Sequence, residues 1–370
     1  MSSSSVVLGI ESSCDECSAS VVRYHANKPL EVLSLSTFSQ IAIHSPYGGV
    51  VPEIASRNHL ETVNEMIDQA LTQSRIAAGG GNLAALEKLD AIAVTNRPGL
   101  VGALLVGVSA AKALAYVAKK PLVPVHHLEG HVASLFLEKS QSENPRTIPL
   151  PALIAIVSGG HTNLYVVKTP PELWPLDFLN RSLVGSSRDD AAGEAFDKTA
   201  KILGFPYPGG VWLDKKSKGG NPNAFPLPRA LPQKNTFDFS FSGLKTAASM
   251  LADRLKREGT LETSLNDLCA SIQEAIVDAL LQKIFLAVRE YRCQSIAIVG
   301  GVAANSRLRA RLSDEWKSLG LAVEPLFPDP KFCTDNAAMI AAAGAFRFRQ
   351  GNFLRGEGLL SLNAIAHPEV

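Results

Sequence analysis

The sequence predicts a two-lobed α/β protein, and three features carry that expectation. At 370 residues the chain is too long for one small core and suits two lobes of ordinary domain size. Short apolar runs of strand length alternate with long helical patterns. One device also occurs twice: an apolar run, a polar turn and a returning apolar run, over Val6 to Tyr24 and again over Leu153 to Val167. The repetition predicts duplicated lobes around a central cleft. The expected division is 1–138 and 150–330, with a returning helix and tail at 331–370. The proline-tipped stretch from Ser140 to Pro149 is the expected connection.

Composition narrows the class. Hydrophobic residues make up 46% of the chain and charged residues 19%, which marks a folded soluble protein rather than a disordered one. A net charge of +1 supplies no global field toward nucleic acid or an anionic membrane. Nucleic-acid contact would therefore need local groups, and the candidates are Lys215 to Lys218, Arg307, Arg309 and Arg311, and Arg347 with Arg349. Met1-Ser2-Ser3-Ser4-Ser5 has neither the basic nor the apolar region of a secretion signal, and the apolar run from Gly99 to Ala111 is too short to span a bilayer. No membrane association and a cytoplasmic location are expected. Five scattered cysteines fit a reducing compartment. Cys14-Asp15-Glu16-Cys17 sits in a hairpin instead of opening a helix, which argues against a redox motif.

The chain opens with a strand from Val6 to Glu11, a polar turn from Ser12 to Glu16 and a returning strand from Cys17 to Tyr24. Such an acid-tipped opening is shared with the actin, Hsp70 and sugar-kinase architecture, although Asp, Glu and Ser also favour plain turns. A strand from Glu31 to Gln40 precedes a helix from Pro52 to about Ile76, with Glu53 at its electropositive start. After the strand Asp90 to Thr95, Arg97-Pro98-Gly99-Leu100 turns into a small-residue helix. A strand at 121–125 then leads into His126-His127-Leu128-Glu129-Gly130-His131. If a helix begins near His127, then His127 and His131 lie one turn apart on one face. Two imidazoles so placed can grip one transition metal. They can equally be ordinary histidines at a strand-to-helix junction, and the pair alone does not decide. Glu129 falls on another face, unlike the base of a His-Glu-x-x-His peptidase.

In the second lobe, Ser158-Gly159-Gly160-His161-Thr162 is a turn whose adjacent glycines let successive N–H groups converge on an anion. The acids from Asp189 to Asp197 read as charge matched to a helix start, and Lys215 to Asn235 as a surface excursion. Long helices are expected over Leu244 to Arg257 and Leu265 to Tyr291. Gly300-Gly301, between the strand Ser295 to Val299 and a helix, suits a nucleotide's ribose and phosphate. No Walker A or G-x-G-x-x-G sequence occurs. Val323 to Phe327 reads as the last strand, and Thr334 or Asp335 as the N-cap of an alanine-rich helix ending near Arg349.

Nine collinear stretches together resemble the TsaD family of bacterial tRNA threonylcarbamoyladenosine transferases. They are Gly9 to Glu16, Tyr47 to Glu53, His126 to His131, Val157 to Thr162, Asp189 to Lys198, Tyr207 to Gly210, Phe239 to Thr246, Gly300 to Asn305 and Phe332 to Asn336. The resemblance implies the actin/Hsp70-like (ASKHA) fold. It implies transfer of a threonylcarbamoyl group from threonylcarbamoyl-AMP to N6 of the tRNA adenosine beside the anticodon. It assigns one divalent metal, Fe2+ with Zn2+ as the alternative, to His127, His131 and Asp335. It assigns the adenylate to Ile156, Val157, Ser158, Gly159, Gly160, Asp197, Gly210, Asp214 and Asn305, and makes Asp15 and Glu16 the catalytic candidates. It further implies a TsaB-like paralogue as heterodimer partner and a TsaE-like ATPase. Cys17 stands where the family usually has Thr, Asn96-Arg97-Pro98-Gly99 replaces a Gly-Pro-Gly context, and Lys168 to Leu183 is longer than usual. An ATPase or kinase of the same superfold, and a metallopeptidase, are the alternatives.

Overall fold

The computed structural model describes residues 4–367 apart from 27, 78, 138–145, 176, 233–234 and 321–323. It divides into two compact units. The first comprises Met1–Thr147, Pro170–Asp177 and Pro328–Val370, and the second Ile148–Thr169 and Phe178–Phe327.

The first unit is built on β1 (Ser4–Glu11), β2 (Glu16–His25), β3 (Lys28–Ser39), β4 (Ala91–Arg97) and β5 (Leu122–His126). The strand order is β3-β2-β1-β4-β5, with β1, β2 and β3 antiparallel and β1, β4 and β5 parallel. Successive side chains of a strand point to opposite faces, so neighbours in β1 serve different cores. Leu8 and Ile10 pack with Met66 and Ala70 of the helix Pro52–Ser74 and Ala111 of the helix Val101–Val117. Val7 points the other way, onto Ala338, Ala341 and Ala345 of the helix Ala337–Arg349. That helix is alanine-rich because it lies almost against the sheet. A Cβ on Gly9 would collide with the Ala337 carbonyl and reach 2.5 Å from the Ala341 amide nitrogen. Tight apposition of this kind fixes where the residues just before the helix sit.

The second unit repeats the plan. Strands β6 (Ala152–Val157), β7 (Thr162–Val167), β8 (Leu183–Ser186) and β9 (Ser295–Val299) are ordered β8-β7-β6-β9. The β6–β7 and β7–β8 pairs are antiparallel and β6–β9 parallel, as in β1–β2, β2–β3 and β1–β4. The helix Leu261–Glu290 buries Leu268, Ile272, Ile276, Leu280 and Ile284 in its core. The strand expected over Val323 to Phe327 is reduced to one parallel bridge, Leu326 to Ala297, and Val323 lies outside the described residues. Leu326 donates to Ile296 O and accepts from Ile298 N, but Pro325 and Pro328 beside it have no N–H to extend the ladder.

Candidate functional site

Three ligand-type side chains converge in the first unit. β5 ends at His126, whose side chain caps the helix His127–Ala133 by accepting from Leu128 N at 3.2 Å. His127 and His131 thus share one face, with ring centroids 4.7 Å apart. Asp335 arrives from the distant end of the chain, its Oδ1 3.4 Å from Nε2 of each histidine. The three ligand atoms lie within 4.8 Å of one another. Two ligands held by one first-row ion at about 2.1 Å and a tetrahedral angle would be about 3.4 Å apart, so the His–Asp separations match a coordination edge. The expected capping role of Thr334 or Asp335 falls instead to Asn336, whose side chain accepts from Met339 N at 3.1 Å. Asp335 is thereby left to face the histidines.

Electrostatics favour a cation there. Burial alone would push the His127 pKa down, but Asp335 and Glu11 outweigh it and hold it well above the ordinary value. Burial would raise Asp335, and the two histidines draw it well below the usual carboxylate range. Burial lowers the pKa of His131, leaving it a neutral imidazole with a lone pair, the form that binds metals. Its two ring nitrogens are buried and, among the described residues, make no well-formed hydrogen bond, Asp335 Oδ1 standing 3.4 Å from Nε2. Orphaned polar atoms of this kind are rare in folded proteins, and a metal would satisfy the one facing Asp335. Asp335 is 24% exposed, so the ligand set keeps an open side. The residues fit a divalent metal.

Glu11 was not legible as part of the site. It closes β1 with no exposed surface, and its Oε2 accepts from His127 Nδ1 at 3.0 Å and from Thr95 Oγ1 at 2.7 Å. Its Oε1 takes the Ser13 N–H at 2.6 Å. A carboxylate on Nδ1 fixes the ring and directs Nε2 toward Asp335. Only its position beside the acidic turn hinted at this.

Asp15 and Glu16 lie at the tip of the β1–β2 turn. The turn is clamped from behind: Gln40 N donates to Asp15 O at 3.1 Å, and His59 Nε2 lies 2.9 Å from Cys14 O. Glu16 accepts from Ser39 Oγ at 2.7 Å. Burial pushes its pKa up to about 8, with Ser39 opposing and the charges of Asp15 and Asp335 adding.

The adenylate candidates all belong to the second unit. Ile156 and Val157 are core residues of β6, so only their backbone can meet a ligand. Gly159 and Gly160 are exposed, and a Cβ on either would meet nothing within 4 Å. Protein packing therefore does not demand glycine here, whereas a ligand on the backbone would. Ser158 O accepts from Gly193 N at 3.1 Å, tying the turn to the start of the helix Ala192–Ile202. On that helix Asp197 accepts from Gly209 N and Gly210 N at 2.7 and 3.2 Å, holding the start of the helix Gly209–Lys216. Asp214 accepts from Ser306 Oγ at 2.7 Å, and Asn305 caps the helix Ser306–Ser318 through Leu308 N at 3.0 Å. These residues form one hydrogen-bonded frame.

Two expectations need correction. Asp189 does not serve a helix of its own segment: it accepts from Ser240 Oγ, Phe241 N and Ser242 Oγ at the start of the helix Ser242–Arg257. Several basic candidates are also spent internally. Arg307 pairs with Glu274, Arg311 with Glu274, Asp278 and Glu315, and Arg347 is buried against Glu129.

Comparison with known proteins identifies the family. A family model described as TsaD, tRNA N6-adenosine threonylcarbamoyltransferase, matches residues 31–342. A protein of that name from Moorella thermoacetica is 45% identical over 359 residues, 97% of this chain and 95% of the other. One from Anaeromyxobacter is 47% identical over 346 residues, 93% of this chain and 95% of the other. Among solved structures, component A of the (R)-2-hydroxyglutaryl-CoA dehydratase of Acidaminococcus fermentans superposes with a TM-score of 0.51 at 14% identity, spanning 94% of this chain and 99% of that one. That likeness concerns the fold alone, which is ASKHA-like as the duplicated strand order predicts.

Proposed function

This chain belongs to the TsaD family of tRNA N6-adenosine threonylcarbamoyltransferases, and from that premise we propose how it uses its two sites. The established activity is transfer of threonylcarbamoyl to tRNA adenosine N6. In our reading the donor is threonylcarbamoyl-AMP and the acceptor is the adenosine 3′-adjacent to the anticodon in tRNAs reading ANN codons. N6 attacks the carbamoyl carbon, the bond from that carbon to the phosphate oxygen breaks, and AMP leaves with the electron pair. The N6 proton passes to a base. Because the N6 lone pair is delocalised into the ring, positioning and the good leaving group carry most of the rate.

Ser158, Gly159, Gly160, Gly210 and the backbone of Ile156 and Val157 bind the adenylate, with Asp197, Asp214 and Asn305 holding them in register. Glu16, pushed up to about 8, is suited to exchange a proton near neutral pH, with Asp15 beside it. His127, His131 and Asp335 hold one divalent metal, iron(II) by family resemblance and zinc(II) otherwise; when bound it polarises a carbonyl or orients the donor. The observation that supports this part is His131, buried, with Nε2 3.4 Å from Asp335 and Nδ1 without a hydrogen bond among the described residues. The protein works in the cytoplasm with a TsaB-like paralogue and a TsaE-like ATPase.

Glu129 is not free to act as the general base of a peptidase. Both oxygens of Glu129 are held by Arg347, Oε1 by Nε at 2.6 Å and Oε2 by Nη2 at 2.8 Å. The reading is tested by anaerobic metal analysis paired with a transfer assay on unmodified tRNA in the reconstituted partner mixture. His127→Ala and Asp335→Ala should each abolish modification in a folded protein. Wild-type transfer by the double variant would end the metal reading, and ATP hydrolysis independent of tRNA and threonine would favour a kinase-like ATPase.

A further inference from the structure

Glu129 and Arg347 form an ion pair that is 97% and 96% buried by side chain and joins segments 218 residues apart in sequence. A pair so deeply desolvated is a poor source of stability, since apolar residues of similar volume commonly do as well. Its two arms, however, belong to the elements that present the ligands. Glu129 lies on the helix His127–Ala133, between His127 and His131. Arg347 lies on the helix Ala337–Arg349, which begins two residues after Asp335. The helices meet closely at Gly130, where a Cβ would reach 2.6 Å from Ile340 Cδ1 and 3.2 Å from Met339 Cγ. Gly130 sets how near the helices come, but a smooth contact of small and apolar groups leaves one free to rotate or slide along the other. A bidentate guanidinium–carboxylate fork removes that freedom, because its two parallel bonds are satisfied in only one register.

We infer that Glu129 and Arg347 are positioning residues that set the rotation of the two-histidine helix against the helix following Asp335, and so set the spacing of the three ligands. Neither belongs to the three-residue ligand set. The inference rests on the metal reading above, and the test separates the two.

The test titrates cobalt(II) into the full-length protein, reading its visible d–d absorption, at a temperature well below the melting points of all variants. Wild type should bind one equivalent and His127→Ala none; no binding by wild type would overturn the metal reading and the brace with it. The double substitution Glu129→Leu with Arg347→Met replaces the pair by apolar groups and leaves the net charge beside Arg97 unchanged, since Arg97 is drawn to Glu129 and repelled by Arg347. It should melt near wild type yet bind cobalt about 10–100-fold more weakly, with an altered spectrum. Wild-type affinity and spectrum in that double variant would overturn the brace alone. Should it fail to fold, Arg347→Lys decides, since it keeps the charge and loses the fork. Weaker binding by Arg347→Lys supports the inference, and unchanged binding overturns it.

Discussion

The two units open with the same hairpin but set different side chains at its turn. In the first, the turn after β1 is acidic, with Glu11 and Asp15 buried and Glu16 half-buried, and Glu11 stands with Asp335 against His127. In the second, the turn after β6 is a glycine pair open to solvent, with helix starts arranged around it. On the function proposed above, one unit would receive a cation and the other an anion. Strand order and pairing do not distinguish them. What differs is which side chains stand at the turn, and whether a glycine faces protein or empty space. A duplicated scaffold can therefore acquire different binding chemistry in each half by changing a few turn residues.

The contrast can be broken most severely at the ligands. His127→Ala or Asp335→Ala should cost about 1,000-fold or more in transfer, roughly 4 kcal/mol of barrier, and abolish metal content, with the melting temperature as control. Next, one substitution tried in each unit should fail in different ways. Gly9→Ala drives a methyl into the backbone of the Ala337–Arg349 helix and should cost about 3 kcal/mol of unfolding free energy by denaturant titration. Gly159→Ala meets nothing in the protein, so it should leave stability alone and weaken adenylate binding about 10–100-fold by calorimetry.

Glu16 sharpens the comparison through pH. Its folded pKa of about 8 lies above the ordinary 4.5, so the folded state holds the proton more tightly. Stability associated with this group is fully present below pH 4.5 and lost as pH rises to about 8. Glu16→Gln should flatten that slope and gain roughly 2 kcal/mol at the alkaline end after screening, measured by urea melts across pH. The smallest effects belong to the two asparagine caps. Asn336→Ala and Asn305→Ala should each cost about 1 kcal/mol in stability, but only Asn305→Ala should also weaken adenylate binding.

Much of this was legible because it is local. Strand alternation gave the hairpins, and a four-residue spacing put His127 and His131 on one helix face. The rest depends on partners far away in the chain. Glu11 looks like the end of an apolar strand until His127, 116 residues later, arrives beside it. Thr334, Asp335 and Asn336 can all cap a helix, and sequence cannot say which one is released for another task. Arg347 looks like part of a solvated basic end, yet it is buried because Glu129 on another helix takes its charge. Residue type and spacing report which groups can do chemistry, and tertiary contacts select among them.

The late position of Asp335 has a consequence for biosynthesis. The ribosome makes both histidines about 200 residues before the third ligand, an interval of about 10–40 s at ordinary elongation rates. Through that interval the nascent chain lacks Asp335, and it also lacks the alanine-rich helix that covers one face of the first sheet. A half-made chain therefore offers a metal two imidazoles and no carboxylate from this set. On the proposed metal reading, loading the ion would be tied to finishing the polypeptide, and a ribosome that stalls before residue 335 would leave a product that cannot complete the centre.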